Sequence, residues 1–176
     1  MWIRTDSRRV YSARGIAVQT EQVFDLKPFD SNINVGLVVS DYYKEIAQNL
    51  LLGVESVLNN YPQVRIEIAR VAGAWEIPLV GRVMAQTGRY QALIALGCVI
   101  RGETSHFDFL CKECSAALMS VSMDFTIPVG FGVLTVENYA QAQQRSDIDD
   151  MKKNKGREAA IGTLRSLYAV AEIRQG

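Results

Sequence analysis

His106 is the only histidine in the chain, and it closes the polar run Arg101-Gly102-Glu103-Thr104-Ser105 just where an apolar stretch gives way to a helical pattern. Imidazole titrates near pH ~6.5 and can both give and take a proton at neutral pH, so His106 is the candidate general acid/base. A helix-start histidine making a local hydrogen bond would read the same way. Its place at the carboxyl end of a buried strand, where βα folds keep their sites, favours the chemical role. Thr104 and Ser105 add hydroxyls beside helix-start N–H groups, a candidate site for a small anion. Neither G-x-G-x-x-G nor a Walker sequence occurs, so nothing points to a dinucleotide or a nucleoside triphosphate.

Cys111-Lys112-Glu113-Cys114 is a competing constellation, because C-x-x-C can be a redox pair or half of a zinc site. Zinc needs two more ligands, and only Cys98 and His106 are on offer. A redox pair belongs at a helix start, where the dipole lowers the thiol pKa; this one falls a turn or more inside a helix, which favours two buried structural cysteines. Trp75 and Glu76, in Gly73-Ala74-Trp75-Glu76, and Tyr42 offer planar faces and a carboxylate. Such groups stack on a flat heterocycle and accept hydrogen bonds from a polyol or a ring N–H. Core aromatics with a surface glutamate would look the same by residue type; the shared sheet end favours a site.

These residues need a scaffold. Asn34–Ser40 is a β-branched apolar run of the kind that forms a strand buried on both faces. From Asp41 the period changes, and Ile46, Ala47, Leu50, Leu51, Val54 and Val57 recur at helical steps until Asn59-Asn60-Tyr61-Pro62. Arg65–Val71 alternates as a second strand, Glu76–Thr87 is helical with Pro78 in its first turn, and Ala92–Ile100 is a third strand. A helix over His106–Met123, a strand Val129–Thr135, and helices over Val136–Arg145 and Lys155–Glu172 complete the alternation. Strands alternating with helices predict parallel βαβ units with right-handed crossovers, hence an α/β three-layer sandwich on a mainly parallel four-stranded sheet. Ligands bind beyond the carboxyl ends of such strands, at 40–43, 72–76, 101–106 and 135–138.

Composition bounds the rest. The 176 residues are 48% hydrophobic and 22% charged, with 19 basic side chains against 19 acidic, which describes one globular domain burying roughly 70% of its extended surface. Charge balance argues against a generic nucleic-acid or anionic-membrane binder. No apolar run approaches the ~18 residues of a membrane span. The opening MWIRTDSRRVYSARG is rich in Arg and Ser but lacks the apolar centre and cleavage site of a secretory signal. Three cysteines without an export signal favour a reducing compartment, so the expected location is cytoplasmic.

At GAWEIP (73–78), GCVIRGETSHFDF (97–109) and IPVGFGVLTVEN (127–138), followed by Gln141, Ala142 and Arg145, the chain resembles the lumazine synthase family over about Asn34 to Leu164. The resemblance implies a flavodoxin-like domain over 34–176 behind an N-terminal extension over 1–33. It also implies a transferase that condenses 5-amino-6-(D-ribitylamino)pyrimidine-2,4-dione with 3,4-dihydroxy-2-butanone 4-phosphate, with no metal or organic cofactor. By motif, His106 would be the catalytic histidine and Tyr42 the ring that stacks on the pyrimidine. Trp75 and Glu76 would cover the ligand and hold its ribityl chain, with Ala74, Cys98, Val99 and Ile100 lining the same pocket. Glu103, Thr104 and Arg145 would hold the phosphate. A neighbouring subunit would lend Phe131, Arg145 and Lys155, the lysine lying near the ribityl chain, so sites would be shared between copies.

Tyr42 and Trp75 stand where the family more often has Phe. The stretch Ser146–Gly156 stands where the family has a Gly-x-Lys-x-Gly-Asn-Lys-Gly turn; it is longer than the compact family form and lacks the internal glycines. Positive φ is then disfavoured, and three aspartates would face their symmetry mates, so a free pentamer or a pair of pentamers is expected and not a shell of about 60 copies. A ligand-binding homologue without catalysis is the alternative; loss of His106 or Arg145 would be its mark, and both are present.

Overall fold

The chain alternates strand and helix in the computed structural model, which describes residues 32–175: β1 (Ile33–Ser40), α1 (Lys44–Leu58), β2 (Val64–Val71), α2 (Ile77–Gln86), β3 (Ala92–Ile100), α3 (His106–Phe125), β4 (Val129–Val136), α4 (Tyr139–Arg145) and α5 (Lys155–Gln175). The strands lie in the order β2-β1-β3-β4, and every neighbouring pair is parallel. The expected extension over 1–33, apart from its last two residues, lies outside the described residues.

Successive residues of β3 face opposite layers. Ala92, Ile94, Leu96 and Cys98 join α1 and α5 in one core, whereas Leu93, Ala95 and Val99 join α2 and α3 in the other. This is the expected three-layer flavodoxin-like α/β/α sandwich, and it follows from period-two strands covered on both faces. β2 is an edge strand, and its alternation between half-buried and exposed residues reflects that place. No helix among the described residues is long and apolar enough to cross a membrane.

The crossover through α1 carries the chain from β1 to β2, and the one through α2 returns it past β1 to β3. Strand order therefore reverses between β1 and β3. β3 pairs with β1 only as far as Val39↔Leu96, so the edge of β3 that faces β1 has no ladder partner from Cys98 to Ile100. A crevice at such a reversal, outside the carboxyl ends of the strands, is where open α/β sheets bind ligands.

Several boundaries differ from the sequence reading by one to three residues, and two of them bear on the frame of the site. β1 opens at Ile33, inside the expected extension. The helix expected from Val136 starts at Tyr139: Val136 is the last residue of β4, paired with Ile100, and Asn138 is extended, its Oδ1 accepting the Gln141 N–H at 3.0 Å. Asn138 is the N-cap that ends the strand and starts the helix.

Candidate active site

Three loops meet the strand ends on either side of the reversal. Asp41-Tyr42-Tyr43 follows β1, and the Tyr42 ring packs edge-on against Tyr43 with centroids 5.0 Å apart. Tyr42 is 71% and Trp75 63% exposed, although both are large and aromatic; exposed rings at a strand-end crevice are what a flat ligand stacks on. Ala74 is buried beside Trp75, and its carbonyl accepts from the buried Cys114 thiol at 3.4 Å, which ties this loop to α3. Glu76 turns its Oε2 back onto the Gly73 N–H at 2.8 Å, a local bond that shapes the loop just ahead of Pro78.

His106 is the first residue of α3 and is exposed. Its N–H points to Thr104 Oγ1 at 3.4 Å, a long contact that leaves the imidazole ring itself at the surface of the turn. Glu103 and Ser105 are exposed on the same turn. Cys98 and Val99 send their side chains into the two cores, so what they offer a ligand is strand-end backbone. Ile100 is partly buried.

Phe131, Arg145 and Lys155 come together elsewhere, in a cleft of about 270 Å³ between β4, α4 and α5 that Glu158 also lines. None of Tyr42, Trp75, Glu76, Thr104 or His106 lines it. Gly130 lets α5 lie against β4 here, since a Cβ would come within 2.2 Å of Thr163 Oγ1. Lys155 is paired with Glu158, whereas Arg145 has no carboxylate within ion-pair distance among the described residues. Arg145 is held at its helix end by Ser146, whose N–H and Oγ both bond the Ala142 carbonyl at 3.0 Å.

A family model described as 6,7-dimethyl-8-ribityllumazine synthase matches residues 32–170 of the 176. The chain belongs to that family. Membership in the lumazine synthase family gives it a role in riboflavin biosynthesis as a transferase, and every site residue named above lies within the match.

The lumazine synthase fold here carries polar residues that local sequence did not mark. Asn154 is fully buried, accepts from the Gly156 and Arg157 N–H groups at 2.9 and 3.2 Å, and donates to the carbonyls of Asn49 and Asp147. It fixes the start of α5, and with it Lys155, against α1. Gly156 allows this approach, because a Cβ would lie 2.0 Å from the Leu50 carbonyl oxygen. The loop before it turns without any positive φ; the Asp147 carboxylate accepts from the N–H groups of Asp149 and Asp150 instead. An asparagine just ahead of a helical pattern is a recognisable cap signal, but its partner Asn49 is remote in sequence.

The thiols do not support a redox pair. Cys111 lies in the second turn of α3, past the helix start, and is half-buried, so only Cys114 of the pair is fully buried as expected. Burial pushes the Cys98 thiol up to about 12 and the Cys114 thiol up to about 11, and raises Cys111 as well. Folding thus favours the neutral thiol: this contribution to stability is complete below the ordinary thiol value and is lost as pH climbs from about 9 towards those raised values. Iodoacetamide at neutral pH is expected to leave Cys98 and Cys114 of the folded protein unmodified; labelling at the rate of a free thiol would contradict the burial argument. No group of three His, Cys, Asp or Glu side chains able to hold a metal occurs among the described residues.

Proposed function

We propose that this chain condenses 5-amino-6-(D-ribitylamino)pyrimidine-2,4-dione with 3,4-dihydroxy-2-butanone 4-phosphate to give 6,7-dimethyl-8-ribityllumazine, releasing phosphate and water, at a site completed by a neighbouring copy. One observation carries the reading. The Tyr42 and Trp75 rings, Glu76, Thr104 and His106 stand at the strand ends, while Arg145, without a carboxylate partner among the described residues, stands with Phe131 and Lys155 in a cleft that contains none of them.

The phosphate of the butanone needs a fixed cation near Thr104. Arg101 is the arginine of that turn, and its guanidinium is already bonded to Asp108 and Glu137. Arg145 from a second copy supplies the planar fork that suits a phosphate, in the site that inorganic phosphate also fills on release. The unpaired edge of β3 at Cys98, Val99 and Ile100 gives backbone groups to the pyrimidine edge, with Tyr42 and Trp75 as its faces. Schiff-base formation, phosphate elimination and ring closure each move a proton, and His106 serves them. Holding two substrates together supplies much of the acceleration.

Leu79 and Val83 on α2 and Met119 and Met123 on α3 are each more than half exposed, an apolar face of the kind that buries itself in self-association. A ring of five copies, or two such rings, completes every site from two neighbours, and the three free thiols suit a cytoplasmic setting. Mixing the protein with both substrates should generate the absorbance and fluorescence of the lumazine. Tight binding of the lumazine without turnover would favour a non-catalytic homologue. Light scattering near about 100 or 200 kDa for 19.6 kDa chains fits pentamers, whereas about 1.2 MDa would overturn them.

A further inference from the structure

We propose that Arg101 is a positioning residue for His106, a clamp that holds the first turn of α3 against the end of β4. The inference rests on the reading of His106 as the proton-transferring group. Arg101 spends its guanidinium on two carboxylates and a ring. Nη1 and Nη2 meet Asp108 Oδ2 and Oδ1 at 3.1 and 2.9 Å, Nε donates to Glu137 Oε2 at 2.8 Å, and the guanidinium carbon lies 4.1 Å from the centroid of the Phe107 ring. Its own backbone N–H donates to the Val136 carbonyl at 2.9 Å.

Phe107 and Asp108 are the two residues that follow His106, so one side chain grips the turn that presents the imidazole from both the ring and the carboxylate side. Otherwise the turn's entrance is held by backbone bonds from the Asp108 and Phe109 N–H groups to the Ser105 carbonyl, at 3.0 and 3.4 Å, and by the long His106 backbone N–H contact to Thr104 Oγ1. Without the clamp the imidazole rides on a helix end that has no side-chain cap, and helix ends fray. Glu137 is fixed in turn: its N–H donates to Gln141 Oε1 at 3.0 Å, within the capped start of α4. The Arg101 bond holds the Asp108 carboxyl below the usual carboxylate range, so Asp108 remains charged wherever the enzyme would work.

The three charged groups are substantially exposed, and exposed pairs contribute little to global stability. Geometry is what a bidentate fork supplies: Lys lacks the planar pair of donors and cannot replace it. A displaced catalytic group costs rate without costing substrate affinity.

The test is a double-mutant cycle on the intact assembly, read as kcat and KM for both substrates. Arg101→Ala is expected to lower kcat about tenfold with KM changed less than about twofold, and Arg101→Lys to restore little of it. In the His106→Ala background the same substitution should change kcat by less than about twofold, because a residue acting through another has nothing left to act on. An equal loss in both backgrounds would overturn the proposal, as would unchanged kcat in Arg101→Ala while His106→Ala is slow. If His106→Ala turns over normally, the reading of His106 fails and the proposal falls with it. Should Arg101→Ala not assemble, Asp108→Asn removes the charge from the fork by an isosteric change and is read in the same cycle.

Discussion

Arg145→Ala should weaken binding of 3,4-dihydroxy-2-butanone 4-phosphate and of inorganic phosphate roughly 10- to 100-fold, while binding of a ribityl-pyrimidine analogue changes by less than about twofold. The asymmetry follows from placement. Arg145 has no carboxylate partner among the described residues, in contrast to Lys155, which is already paired with Glu158, and to Arg101, which is filled by Asp108 and Glu137. A free guanidinium at a helix end fixed by the buried Ser146 is the one arginine of these two free for a phosphate dianion. Arg145→Lys should recover charge without the fork and so restore only part of the affinity. Calorimetry with inorganic phosphate and with the analogue separates the cases, and equal losses for both ligands would mark Arg145 as structural.

His106→Ala is expected to slow turnover about 10²-fold, near the low end for acid/base catalysis, because holding the substrates together does much of the work. Affinity for a product analogue should survive, since the proposed stacking falls to Tyr42 and Trp75 and no side-chain bond of His106 to another described residue supports the fold. Added imidazole should return part of the lost rate by entering the vacated space as a diffusible proton carrier. Unchanged turnover in the variant would remove His106 from the chemistry.

Much of the scaffold was legible because burial on both faces demands apolar β-branched runs, as in Asn34–Ser40 and Ala92–Ile100, and amphipathic helices demand three- and four-residue steps, as from Ile46 to Val57. The misplaced start of α4 has a specific cause. Val136 suits the end of a buried strand as well as the start of an amphipathic helix, and the decision falls to Asn138, whose capping bond is a local event that periodicity does not register. For the proposed site, His106, Trp75 and Tyr42 are legible as candidates from residue types and strand ends alone. Phe131, Arg145 and Lys155 could be assigned only through the family resemblance, because on one chain they sit away from His106 and nothing in their spacing joins them to it. Arg101 and Asn154 were missed for a related reason: a clamp is defined by its partners, and Glu137 and Asn49 lie 36 and 105 residues away.

Division of the site between copies is tested most directly by subunit mixing. His106→Ala and Arg145→Ala chains are to be co-assembled in equal amounts, and native mass spectrometry is to verify that both occur in single particles. Random mixing places an intact strand-end half against an intact Arg145 half at about one interface in four, so lumazine formation should rise to about a quarter of the unmodified rate. A rate that stays at the mean of the two separate variants, in particles shown to be mixed, would mean that each chain carries its whole site and would contradict the account.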